Sequence, residues 1–244
     1  MKKTLLAVMA ALSISSVAYA ADGAHWGYTG KEAPENWAKL SPEFSDCAGK
    51  NQSPINLTDF IDAQLNPLKF DYKAGGNEVV NNGHTIQVNY APGSTVTIDG
   101  KVFELKQFHF HAPSENQING KSFPFEAHLV HMDQNGNIAV IGIMYTEGKE
   151  NKALAEFWSW IPENAGDSKN LEKIVDASSL LPAEQSYYRF NGSLTTPPCT
   201  EGVLWILFKE SVSISKEQVE KFAKIMKHPN NRPVQPVNAR PVLQ

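Results

Sequence analysis

No run of basic residues occurs anywhere in this chain, and Asp and Glu outnumber Lys and Arg by 26 to 22. That argues against a nucleic-acid partner, since such surfaces need clustered positive charge. Beyond the N-terminus, no stretch is long and apolar enough to span a bilayer. No internal repeat, linker or low-complexity block interrupts the sequence. Cysteine is scarce, with only Cys47 and Cys199. In an oxidising compartment an even count suggests one disulfide, and the chain-entropy argument gives a loop of that length roughly 5 kcal/mol as an upper value.

What is present begins with a leader. Lys2 and Lys3 form a charged start, Leu5 to Val17 a short apolar run broken by serines, and Ala18-Tyr19-Ala20 an A-x-A cleavage site. The expectation is a cleaved signal peptide over residues 1–20 and a periplasmic or secreted mature chain, 21–244, folding as one domain. Loss of the two leader lysines leaves the mature chain more acidic than the full chain's net −4. A chain of this size can bury a sizeable core without staples.

Residues 21–50 carry aromatics among turn residues, His25-Trp26-Gly27-Tyr28 foremost, and read as an irregular arm packed through its rings. From about Leu68 the pattern alternates with period 2, and Asn82-Gly83 and Asp99-Gly100 are hairpin turns. Lys101 to His111, Phe125 to Met132, Asn137 to Tyr145 and Val203 to Phe208 read as strands. Helices are expected at Asn151 to Ile161, stopped by Pro162, at Leu171 to Ala177, and from Ser215, where Ser215-x-x-Gln218 is a capping box. Ser53-Pro54 and Pro197-Pro198 are candidate cis bonds. The fold class is therefore a β-dominated α+β domain: a large central twisted, mostly antiparallel sheet of about ten strands with a few peripheral helices.

Gln107-Phe108-His109-Phe110-His111 carries the chemistry. As a strand it turns Gln107, His109 and His111 to one face and both phenylalanines to the other. Two residues apart on one face means about 7 Å between Cα atoms, close enough for both imidazoles to reach one ion. His128 lies on a second strand, with Glu126 and Val130 on its own face. Three histidines with an open position are the ligand set of a catalytic zinc site. Gln107 and Glu126 are placed to hold the second nitrogens of His109 and His128. His131 points away and suits a core hydrogen bond, while His25 and His228 have no supporting pattern and default to structural or surface roles. A competing reading stays open on these residues. His109-x-His111-x-x-x-Glu115, followed by His128, also resembles the metal motif of the cupin barrel, with Glu115 a ligand and the metal iron or manganese.

Further stretches weigh on that choice: the loop Ser193-Leu194-Thr195-Thr196-Pro197-Pro198, the turn Asn81-Asn82-Gly83-His84 and the apolar Val203-Leu204-Trp205. With the QFHFH and EAHLVH strands, the HWGY arm, the NQSPIN segment and Asn230-Asn231-Arg232-Pro233, they resemble the alpha-class carbonic anhydrases, in that family's order and over nearly all of the mature chain. The resemblance implies an enzyme that hydrates carbon dioxide to bicarbonate on zinc hydroxide. It implies His109, His111 and His128 as zinc ligands, with Gln107, Glu126 and the Asn230 backbone as their partners. Thr195 would donate to Glu115 and accept from the hydroxide, and its N–H would bind the bicarbonate oxygen. Val130, Val140, Leu194 and Trp205 would form the carbon dioxide pocket, with Thr196 near the product. His84 would be the proton shuttle, with Tyr28 and Asn82 in its water network. A group of pKa near 7 releases protons to water at only roughly 10³ per second, so faster turnover needs such a base. A Cys47–Cys199 bond would clamp the Thr195 loop. Bacterial members of that family often pair as dimers, so the resemblance adds a homodimer to the expectations. A non-catalytic binding protein of the same fold is the remaining alternative; relatives of that kind have lost a zinc histidine, and all three are present here.

Overall fold

The computed structural model describes residues 24–244. The expected signal peptide and its cleavage site lie outside the described residues. In chain order the strands are β1 (Asn56–Leu57), β2 (Lys69–Asp71), β3 (Gly76–Asn81), β4 (Ile86–Tyr90), β5 (Thr95–Ile98), β6 (Lys101–His111), β7 (Gln117–Ile118), β8 (Phe125–Met132), β9 (Ile138–Glu147), β10 (Ser168–Val175), β11 (Tyr187–Ser193), β12 (Glu201–Phe208) and β13 (Val212–Ile214). The α-helices are α1 (Trp37–Leu40), α2 (Lys152–Trp158) and α3 (Lys216–Met226).

Eleven strands form one sheet in the order β10-β3-β4-β6-β8-β9-β12-β11, with β5 joining β2 to β6 and β13 set beside β9. Most pairs are antiparallel, as expected, while β12 and β13 both run parallel to β9. β1 and β7 make a separate parallel pair. Among the described residues no helix is long and apolar enough to cross a membrane.

Alternation along β6 sorts its side chains as the sequence predicts. Phe108 and Phe110 enter a fully buried aromatic core with Phe125, Phe157, Trp158 and Phe222. α2 and α3 supply the last three of these and so cover this face of the sheet. A second apolar cluster, built on Val140, Met144, Phe190, Trp205 and Leu207, is separate from it. The histidines share the face of this second cluster, where the Trp205 ring stands edge-on against His128, 4.9 Å away between ring centres.

Two helix expectations hold. Asn151 caps α2, its side chain accepting from Leu154 N–H, and Ser215 with Gln218 forms the capping box of α3. The third fails: residues 171–175 belong to strand β10, and only a short 3-10 turn, Ala177–Leu180, follows. β10 pairs with β3 at the sheet edge and its register shifts between Asn170 and Val175. Only Leu171 and Val175 are buried along it, and that four-residue spacing imitates a helix. Ser53-Pro54 and Pro197-Pro198 are both cis, and Ala112-Pro113 is a third, unexpected one.

Candidate active site

β6 and β8 pair with His109 opposite His128 and His111 opposite Glu126. That register, which sequence spacing cannot supply, brings the three histidines together. One nitrogen from each of His109, His111 and His128 lies within 4.8 Å of the others. The remaining nitrogens are all tied down. His109 Nδ1 donates to Gln107 Oε1 at 2.8 Å, His111 Nδ1 to the Asn230 carbonyl at 2.7 Å, and His128 Nε2 to Glu126 Oε1 at 2.9 Å. Each imidazole therefore turns a lone pair toward the common point, through Nε2 of His109 and His111 and Nδ1 of His128. His111 Nε2 is buried and has no protein partner. Desolvation lowers the pKa of all three, so they are neutral, the form that binds metal.

Two carboxylates are buried beside them. Glu126 accepts from Glu115 N–H and Asn116 N–H through Oε2, and from the Asn116 amide through Oε1. Glu115 Oε1 accepts from Arg232 N–H at 2.8 Å. Its Oε2 lies 3.5 Å from His111 Nε2 and 3.9 Å from His128 Nδ1. With neutral imidazoles these are not ion pairs. Burial pushes the Glu115 carboxyl up to about 8, while the Arg232 N–H, the Thr195 hydroxyl and the Arg232 charge act the other way. Burial likewise raises Glu126, against the Asn116 and Glu115 donors and the His111 charge. A divalent cation at the histidines would favour the ionised form of both buried carboxylates. The donor set, the orphaned His111 nitrogen and these carboxylates thus fit a metal ion.

Trp205, edge-on against His128, ties the expected apolar residues to this point. Val140 and Trp205 are buried, and Val130 and Leu194 pack on the same cluster. Thr195 is buried in the loop after β11, and Thr196 follows it half-buried. That loop is held by Leu194 N–H to Thr200 O, 3.0 Å, and Cys199 N–H to Thr196 O, 2.8 Å. Cys199 is bonded to Cys47, as expected. His84 is half-buried, its ring stacked on Trp26 with centres 3.7 Å apart and planes 9° from parallel. Asn82 Oδ1 accepts from the N–H of His84 and Thr85, which fixes the turn. Burial, then the charges of His25 and His228, push the His84 imidazole down to about 4. The Tyr28 hydroxyl is buried without a protein partner. His131 is in the core, its Nε2 2.5 Å from the Tyr72 hydroxyl, as a non-ligand should be.

Three contributors escaped the sequence. Asn116 holds Glu126 with both amide groups, and only its place next to Glu115 hinted at it. The Arg232 guanidinium is buried, donating to Gln52 Oε1 and the carbonyls of Ser53 and Cys47, and lies over the Trp37 ring. Nothing local in the sequence marks a buried arginine. Trp26 was read as packing, and its partner His84 lies far along the chain.

The sequence profile of the family described as eukaryotic-type carbonic anhydrase matches residues 32–244. A carbonic anhydrase of Neisseria gonorrhoeae is 49% identical over 99% of this chain and 98% of its own length. One of Pectobacterium carotovorum is 47% identical over 99% of both. Among solved structures, an alpha-carbonic anhydrase from Thermovibrio ammonificans, in complex with sulfanilamide, superposes with a TM-score of 0.89 at 55% identity, covering 91% of this chain and all of that one. By profile, full-length identity and fold together, the chain belongs to the alpha-class carbonic anhydrase family of lyases.

Proposed function

We propose that the chain hydrates carbon dioxide reversibly to bicarbonate and a proton, using zinc held by His109, His111 and His128. One observation carries the reading: three neutral imidazole lone pairs converge within 4.8 Å, each ring fixed through its other nitrogen. Zinc in an open three-histidine site lowers the pKa of a bound water to about 7, carbonic anhydrase being the type case. The chain's own residues do the rest. The Thr195 hydroxyl would donate to Glu115, whose Oε2 is buried without a partner, and its lone pairs would then be free to accept from the reacting oxygen. Glu115 is itself fixed by Arg232 N–H. Val130, Val140, Leu194 and Trp205 offer the small apolar substrate a dry wall, while the Thr195 N–H and Thr196 meet the polar product. Gln107, Glu126 and the Asn230 carbonyl keep the imidazoles oriented. His84 takes the proton, and the unpartnered Tyr28 hydroxyl with Asn82 orders water on the way.

The protein works outside the cytoplasm in this reading. The Cys47–Cys199 bond supports export, as does the leader-like N-terminal sequence. Mass analysis of the periplasmic form tests it, cleavage after Ala20 being the expected result.

Metal analysis and rapid-mixing kinetics on the purified protein test the chemistry. One zinc per chain and carbon dioxide hydration that vanishes in His109→Asn are expected. Iron or manganese bound with Glu115 as a ligand would overturn the zinc assignment.

A further inference from the structure

Each hydration turnover releases one proton, which must reach solvent through a base with a free lone pair near the site. His84 alone meets that need poorly. Its ring is stacked flat on Trp26 and its turn is pinned from both sides, by Asn82 Oδ1 on its N–H and by Asn230 Nδ2 on its carbonyl at 3.0 Å. Held down to about 4, it is a weak acceptor for a proton from a group near 7, and each unit uphill slows the forward transfer by as much as about tenfold.

A second imidazole, His228, lies near enough for its charge to bear on His84. His228 Nδ1 donates to the Pro229 carbonyl at 3.0 Å, so its lone pair is on Nε2. It lies two residues before Asn230, whose side chain grips the His84 carbonyl and whose own carbonyl holds His111. Its ring centre is 5.9 Å from that of Tyr28, which is 5.8 Å from that of Trp26, the platform under His84. Tyr28 and Trp26 thus form an aromatic bridge between the two imidazoles, and the Tyr28 phenol also feels the charge of Glu115 inside the site. His25 is a third imidazole, but its Nδ1 is engaged by Glu32 at 3.0 Å, and it is the most exposed of the three. The titratable groups whose charge bears on His84 are His25, engaged with Glu32, and His228.

We infer that His228 is a second proton-release group, working in parallel with His84. The inference rests on the hydration reading proposed above. Two parallel exits predict a particular kinetic pattern: loss of either histidine is partly covered by the other, while loss of both exposes the proton-limited rate.

Rapid-mixing hydration in weak buffer, on zinc-loaded protein, compares His84→Ala, His228→Ala, His228→Asn and the double variant. The double variant is expected to lose about fivefold or more in kcat beyond His84→Ala, with kcat/KM unchanged and with recovery in millimolar imidazole. NMR titration of the His84 ring gives a readout independent of turnover: removing the His228 charge should raise the His84 midpoint. An active wild type whose double variant matches His84→Ala overturns the inference and leaves the hydration reading standing. A zinc-loaded wild type without hydration activity overturns both. A lower kcat/KM, or a loss that imidazole does not restore, makes His228 structural and likewise overturns it.

Discussion

Gly142 faces His128 across the β8–β9 pair, and the site needs it to be glycine. A Cβ there would meet Leu207 Cδ1 at 2.6 Å and Glu126 Oε1 at 3.3 Å. Leu207 is fully buried and Glu126 is held by four donors, so neither yields freely. Gly142→Ala should cost about 1–3 kcal/mol in urea unfolding. By displacing the carboxylate behind His128 it should also weaken metal retention by about tenfold or more in a chelator competition. His131 makes a second prediction at this scale. Buried against Tyr72, it is held down to about 4, whereas in the unfolded chain it titrates near the ordinary 6.5. Above 6.5 both states are neutral and the full stability is present. Between 6.5 and 4 the unfolded chain takes up a proton that the folded one refuses, so stability falls, by on the order of 3 kcal/mol across the window. His131→Gln, which keeps a partner for Tyr72, should flatten that slope when unfolding is followed at pH 7 and pH 5. The sequence showed that His131 faces away from the other histidines; that Tyr72 receives it depended on a residue 59 positions upstream.

Elements matter here through what they carry. The Thr195 loop is closed at one end by Cys199, and Cys47 at the other end of the disulfide accepts through its carbonyl from Arg232, whose N–H holds Glu115. Gln52 adds a bond to the Cys199 carbonyl and accepts from the same guanidinium. Reduction should therefore lower activity as well as stability, the latter by up to about 5 kcal/mol. Thiol counting beside a hydration assay at ambient temperature checks this, and full activity in a thiol-confirmed reduced enzyme would overturn the coupling. Between α2 and α3, Gln218 accepts from Asn151 N–H at 2.8 Å and donates to the Asn151 carbonyl at 2.9 Å, besides closing its own capping box. Gln218→Ala leaves buried groups unpaired and should destabilise by about 2–3 kcal/mol, visible as a lower urea midpoint at unchanged kcat/KM. The capping box was legible because it is local. Strand β10 was not, because an edge strand with a shifted register buries two side chains four apart and loses its alternation. Parallel pairing of β9 with β12 was equally hidden, since it joins segments more than sixty residues apart.

At the scale of the whole molecule, the sheet's two faces divide the work: aromatic packing under the helices on one, the histidine site and apolar wall on the other. Two buried carboxylates and three neutral imidazoles leave the site short of positive charge. Metal removal should accordingly lower the thermal midpoint and its restoration raise it, by an amount that grows with the logarithm of free zinc over its dissociation constant. Calorimetry of stripped and reloaded protein checks this, and equal midpoints would show that the metal contributes no folding energy. Period-2 alternation by itself determined that Gln107, His109 and His111 share a face opposite Phe108 and Phe110, because strand geometry fixes side-chain direction residue by residue. The order of motifs likewise made the family resemblance legible. Only the tertiary structure decided that His109 stands opposite His128, that Arg232 is buried behind Glu115, and that His84 is stacked on Trp26. Register and long-range packing follow from the free energy of the whole sheet, and no local window of residues contains it.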